Sequence, residues 1–335
     1  MRMFSKLAVC GLVGGLWAQI GASAWAADAG ASGPLQFKFE LNKPIVFSAV
    51  TSTRTVTDRT VQMETGAKSV GTTNAGEFRY KLRLTPVRKS AEGVWTLHYE
   101  PFDFQEDVET FANGGHFTTA IKGLEVKSTQ NGITVVDTVK GVGLAQAKPL
   151  RQGTYVRMLS GNFEFEPSGV VSKVDGDLPF IDYWSENIKN QMGLFDIAFA
   201  SEPVPAGGTW TKNLVVKDLE GIKLGESGLV ETNTFVRQDG TGTANHLIPV
   251  TVSMTISPKN IFGSMDNMGQ NTTLNISEFT HQKTGKFLFD PEAGCLNSGD
   301  EEEARRLVID MLSQGHTVTV TTEFSIHSKF DLLTN

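Results

Sequence analysis

Two cysteines, four tyrosines and five tryptophans in 335 residues exclude several kinds of protein at once. Cys10 lies inside the leading apolar run, so Cys295 is the only thiol in the rest of the chain and no internal disulfide can staple it. Cys10 also follows Val9 and precedes most of that run, a poor setting for lipidation. So few aromatic residues cannot furnish the two girdles of an outer-membrane barrel, and the terminal Leu333-Thr334-Asn335 is not aromatic. Basic runs are missing and the formal net charge is −7, which makes the chain a poor ligand for nucleic acid or for an anionic membrane.

Motifs of chemistry are missing too. The six histidines, at 98, 116, 246, 281, 316 and 327, never fall at i, i+2 or i, i+4, so no local metal pair exists. Neither Asp103, Glu106, Asp107 and Glu109 nor the run Asp300 to Glu303 has the alternating oxygen ligands and turn glycine of a calcium loop; both read as solvated acidic faces. Gly225-Glu226-Ser227-Gly228-Leu229 lacks the last glycine of a nucleophile elbow, and Gly66-Ala67-Lys68-Ser69 lacks the glycine spacing of a phosphate loop. No cofactor or metal is expected. An enzyme would have to assemble its groups from distant strands, for instance His98 with Asp103 or Glu100.

What the chain does contain begins with Arg2 and Lys6, an apolar run from Leu7 to Ile20, and Ala24-Trp25-Ala26. These are the parts of a secretory signal peptide cleaved after Ala26, with a run too short to span a bilayer, so the expected location is periplasmic or secreted and not transmembrane after processing. Removal takes away two cations and no acid. A flexible Ala/Gly/Ser linker follows over residues 27 to 34.

From residue 35 to 335 the pattern is that of strands. Phe78, Tyr80, Leu82 and Leu84 alternate with Arg79, Lys81 and Arg83, and Trp95, Leu97 and Tyr99 with Thr96, His98 and Glu100, predicting two neighbouring antiparallel strands. Asn131-Gly132 predicts a type I′ hairpin between Leu124 to Lys127 and Ile133 to Val139. Val318, Val320, Phe324, Ile326 and Phe330 share one face of a last strand. One-sided strands of this kind belong to antiparallel sheets.

Three stretches break the monotony. Over Asp177 to Ala200, Ile181, Trp184, Ile188, Met192, Phe195 and Phe199 recur at helical spacing, predicting one long amphipathic helix. Asp300 to Gln314 has the cap, acidic first turn and closing Gly315 of a helix, yet is equally suited to a hairpin with the last strand. Phe163-Glu164-Phe165-Glu166-Pro167-Ser168-Gly169 is echoed by Phe287-Leu288-Phe289-Asp290-Pro291 with Gly294 beyond, a strand entering a tight turn in both cases.

Pro203-Val204-Pro205-Ala206-Gly207-Gly208-Thr209-Trp210, the segment Gly285 to Gly294 and the strand Gly315 to Phe330 resemble a family of secreted bacterial β-rich proteins of unknown function, often lipoproteins. The resemblance implies a strand hairpin at Asp300 to Gln314. By architecture alone there is a more distant resemblance to periplasmic lipoprotein carriers, in which a curved sheet wraps a helix-lined apolar cavity.

The expected fold is therefore mainly β: curved antiparallel sheets, a half-barrel or a pseudo-repeat, packed around one long helix at 177–200. It reads as one domain over 35–335 or as two β halves, 35–176 and 205–335, joined by that helix. The expected function is an exported, non-enzymatic binding protein with an apolar site for a lipid, another hydrophobic ligand or a segment of an envelope protein. Its candidate lining is Trp184, Ile188, Phe195 and Phe199 of the helix with Phe262, Met265 and Met268 of a Gly/Asn-rich loop. The same residues could equally be core, which would make the protein a solid interaction or structural module of the envelope.

Overall fold

Alternation of apolar and polar residues along stretches of about twenty residues produces unusually long strands. The structure is a computed structural model that describes residues 34–63, 66–148, 150, 160–175, 197–216, 218–219, 222–224, 228–239, 246–258, 261–267, 270–313 and 316–334. In chain order the strands are β1 (Ile45–Met63), β2 (Gly66–Lys89) and β3 (Trp95–Ala112), then the shorter β4 (Gly115–Lys122), β5 (Glu125–Gln130) and β6 (Ile133–Asp137). There follow β7 (Gly161–Phe165), β8 (Val171–Asp175), β9 (Thr209–Val216), β10 (Asp218–Leu219), β11 (Ile222–Leu224), β12 (Leu229–Arg237), β13 (Ile248–Ile256) and β14 (Ile261–Asn267). Three long strands close the chain: β15 (Gln270–Asp290), β16 (Cys295–Ser313) and β17 (His316–Thr334).

Every described pairing is antiparallel, and the strands belong to one open sheet. Its spine runs β7–β3–β2–β1–β17–β16–β15–β13–β12–β9. The far half of β3 turns to pair with β4, which leads to β5 and β6, while the early part of β15 pairs with β14 and through it β11. The Asn131-Gly132 turn has φ of 51° and 80°, both positive as a type I′ hairpin requires.

The sheet is strongly curled. Strands β7 and β15 lie six steps apart, about 29 Å along a flat sheet at ~4.8 Å per strand. Yet the Phe37 ring meets Phe165 of β7 at 4.9 Å and Phe289 of β15 at 5.7 Å. Only a half-barrel brings both flanks onto one side chain. Phe37 sits in a segment that plugs this end of the half-barrel, held by Phe37 N–H to Pro167 O at 2.9 Å and Lys38 N–H to Gly294 O at 2.8 Å. The two echoed Phe-x-Phe turns are therefore the two jaws that grip the plug. Their four phenylalanines, Phe163, Phe165, Phe287 and Phe289, are fully buried in the main core with Phe47, Leu84, Leu97 and Phe235.

The jaws need their glycines. Gly169 has φ +98°, and a Cβ there would stand 2.2 Å from Ile197 O and 3.0 Å from the Phe37 ring. Gly169→Ala is expected to destabilise the protein by about 2 kcal/mol, from left-handed strain and displaced backbone together. A thermal melt of the variant checks this, and an unchanged midpoint would show that the turn yields freely.

One open alternative is decided and one expectation is corrected. Asp300 to Ser313 is strand, the hairpin of the two alternatives: Leu307, Ile309 and Met311 lie opposite Thr322, Val320 and Val318 of β17 in the β16–β17 hairpin. Helix propensity loses because β15 and β17 offer ladder partners on both sides and the period-two pattern buries Leu307 and Ile309. The long helix at 177–200 is not part of the described architecture, where helix is confined to a short stretch beginning at Leu144. Residues 177–196 of it lie outside the described residues, and Ile197 to Ala200, its expected last turn, is not helical. There the backbone bonds outward, Phe199 N–H to Ser168 O at 2.6 Å and Trp210 Nε1–H to Ala198 O at 2.5 Å, so tertiary partners replace the i−4 carbonyl.

Candidate functional site

Above the plug, the long strands continue past the main core, and their inner face changes character. On one flank, odd-numbered residues of β15 and β16 alternate inward: Phe279, His281, Lys283, Gly285 and Phe287 beside Leu307, Arg305, Glu303, Glu301 and Gly299. The register thus places six ionisable groups on a buried face between the main core and a second cluster of Leu219, Ile222, Leu274, Ile276, Phe279, Leu307 and Ile309. His281 Nδ1 lies 2.7 Å from Glu231 Oε1 of β12, and its Nε2 lies 3.0 Å from Glu303 Oε1. Lys283 Nζ is 3.0 Å from Glu301 Oε2, and Arg305 pairs with Glu303.

Burial would strip the proton from His281, but carboxylates at both ring nitrogens outweigh it and hold the imidazole pKa above its ordinary 6.5. Both nitrogens then donate, and the three carboxylates are balanced by His281, Lys283 and Arg305. Burial alone would raise the Glu303 pKa, but His281, Arg305 and Lys283 carry it down to about 2. No nucleophile stands in this belt, and among the described residues no group of three His, Cys, Asp or Glu side chains converges to hold a metal. Its chemistry is that of an ionic clamp between β12, β15 and β16. In sequence it was hidden because Asp300 to Arg306 reads as a capped helical turn; the signal available was parity, since Glu301, Glu303 and Arg305 fall in phase with Leu307 and Ile309.

The middle of the inner face is different again. Opposite Thr53 and Thr55 of β1 stand Ile326 and Phe324 of β17 on one side and Gly76 and Asn74 of β2 on the other. Val108 pairs with Gly76 and with Thr119, and Phe117 with Thr110. Phe78, Val108, Phe117, Phe324 and Ile326 are only half-buried, although they share a face with the fully buried Phe47, Leu82 and Phe330. They form a trough of apolar rings and methyls set among threonines, with Glu303 and Arg305 of β16 across from Ile326 and Phe324 and the buried Glu106 of β3 across from Phe78.

Of the residues expected to line a site, Phe199, Phe262 and Met265 are among the described residues. Trp184, Ile188, Phe195 and Met268 lie outside the described residues. Phe199 is core, its ring 4.6 Å from Phe289 and 5.2 Å from Phe37. Phe262 is on β14 and exposed, and Met265 is on the same strand. The loop expected around them is strand, because β14 pairs with the start of β15. His98 Nδ1–H donates to Asn162 Oδ1 at 2.9 Å, while Glu100 pairs with Arg83 and Asp103 with Lys81, so the three do not converge. The Cys295 thiol is buried and its pKa is pushed up to about 11 by burial and by Asp290, which leaves it inert.

No family model matches the sequence, and no characterised relative does. A solved structure of lipovitellin, described for its lipid–protein interactions, is similar over 89% of this chain with 10% identity and a TM-score of 0.42. The chain spans about a quarter of that protein's length, 26% of it.

Proposed function

We propose that this is an exported, non-enzymatic binding protein that takes an apolar ligand, a lipid chain or similar, in the trough above the plugged core. One observation carries the reading: Phe78, Val108, Phe117, Phe324 and Ile326 stay accessible on the concave face of a curled sheet. An accessible apolar strip of that kind, with polar groups at its margins, suits an apolar guest. Export is supported by the charged start, apolar run and Ala24-Trp25-Ala26 of the leader.

The test is binding of a fluorescent fatty acid, with native mass spectrometry of the gently purified protein for co-purifying lipid. Phe324→Glu replaces an apolar ring of the trough by a carboxylate, which Arg305 across the strands would keep charged, and is expected to weaken binding of an apolar chain roughly tenfold. Ser325→Glu, one residue on and facing the other side of the sheet, is expected to leave it unchanged. Equal binding in both, or none by the native protein, would favour a solid envelope interaction module, a reading supported by the close packing of Phe199.

A further inference from the structure

In the lobe built on the far half of β3, residues 122–148 depart from the acidic character of the rest of the chain, although β3 itself carries Asp103, Glu106, Asp107 and Glu109. β4, β5 and β6 enclose a small core of Ile121, Val126, Val136 and Ala147. At one end of the lobe two turns are pinned side by side. Thr138 N–H donates to Val126 O at 3.0 Å and Val126 N–H to Thr138 Oγ1 at 2.9 Å, while Val142 N–H closes the second turn onto Asp137 O at 2.9 Å. From these turns and the short helix beyond them, Leu124, Val139, Val142 and Leu144 project with exposures of 73%, 74%, 42% and 57%. The small core is already complete without them.

Lys122, Lys127, Lys140 and Lys148 are exposed on the same stretch. The only acids between residues 122 and 148 are Glu125 and Asp137. Asp137 is buried and serves the turn, its Oδ1 accepting Lys140 N–H at 3.0 Å. Protruding aliphatic side chains and exposed lysines thus occur together on one stretch of a chain whose net charge is −7. That combination complements an anionic bilayer: the aliphatic tips enter the acyl boundary while the ammonium groups remain among the phosphates.

We propose that this lobe end, centred on Leu124, Val139 and Leu144, docks the protein onto an anionic lipid surface. The surface lies outside the trough, and neither reading needs the other. The whole-chain charge had argued against membranes; a local patch decides instead, because charges beyond a Debye length of roughly 8–10 Å contribute little at physiological salt.

The experiment is cosedimentation of the full chain with vesicles of phosphatidylcholine plus phosphatidylglycerol, against phosphatidylcholine alone. Binding is expected to the anionic vesicles and to fall as salt is added. The variant Leu124→Ser with Val139→Ser and Leu144→Ser, and separately the four lysines changed to glutamine, should each bind at least about tenfold more weakly. Leu124→Ser alone, at an exposed turn, should show a smaller loss and guards against a misfolded triple variant. Phe324→Glu should dock normally, which separates this surface from the ligand trough. No binding to anionic vesicles, equal binding to neutral ones, or undiminished binding by the serine variant overturns the proposal. Concentration-dependent self-association abolished by the serine substitutions, without vesicle binding, would overturn it in favour of a second copy of the chain.

Discussion

Replacing Phe37 by alanine is expected to lower the free energy of unfolding by about 3–5 kcal/mol, the range for removing a buried aromatic ring that leaves a cavity. The ring is almost wholly buried, with Phe165, Phe199 and Phe289 packed edge-on or tilted around it at 4.9, 5.2 and 5.7 Å. These neighbours come from opposite flanks of the half-barrel, so they cannot collapse into the gap without shifting the sheet. Urea unfolding followed by tryptophan fluorescence measures the effect, since Trp95 packs against Phe39 of the same plug at 5.6 Å. A loss below about 1 kcal/mol would show that the plug is dispensable and that the jaws close on each other.

Glu303→Ala is expected to cost a similar amount, about 3–5 kcal/mol, for a different reason. The substitution leaves the buried His281 and the half-buried Arg305 with one carboxylate fewer between them, and an uncompensated buried charge is far worse than a missing methylene. The same cluster makes stability depend on pH from both sides. His281 has its folded pKa raised above 6.5, so its contribution is complete below 6.5 and is lost as pH rises through the folded value. Glu303 is lowered from 4.5 to about 2, so its contribution is complete above 4.5 and disappears as pH falls toward 2. The native protein should therefore be most stable between those ordinary values, roughly pH 4.5 to 6.5. In the Glu303→Ala protein the alkaline fall should be smaller and finish at lower pH, because one of the two carboxylates sustaining the imidazolium has gone. Denaturant midpoints measured from about pH 3 to about pH 9, on both sides of that plateau, would show a parallel pair of curves if the clamp does not couple to folding, and the assignment would then fail.

The trough and the clamp lie on neighbouring strands of one sheet, Ile326 and Phe324 of β17 beside Glu303 and Arg305 of β16, and differ in what they tolerate. A rigid ionic flank beside an accessible apolar strip fixes the curvature of the sheet while leaving its middle free for a guest.

Residue types alone were enough for the β-rich class, for the β2–β3 pairing and for the Asn131-Gly132 turn, because each of these depends on period-two alternation or on a local backbone preference. They were enough as well for the common face of Val318, Val320, Phe324, Ile326 and Phe330 in β17. The Phe-x-Phe echo was visible, but its meaning was not: only the curl of the sheet brings two turns 120 residues apart onto one plug. Asp300 to Ser313 carried equal local support for helix and strand, and long-range ladders on both sides chose the strand. Phe199 looked like the end of a helical stripe until Ser168 and Trp210 claimed the backbone around it. The ionic clamp and the trough were beyond local reading for the same reason. Both are made of residues whose neighbours lie across strands, and whether a charged or apolar side chain ends up buried, paired or open to solvent is settled by register and curvature, which no window of sequence contains.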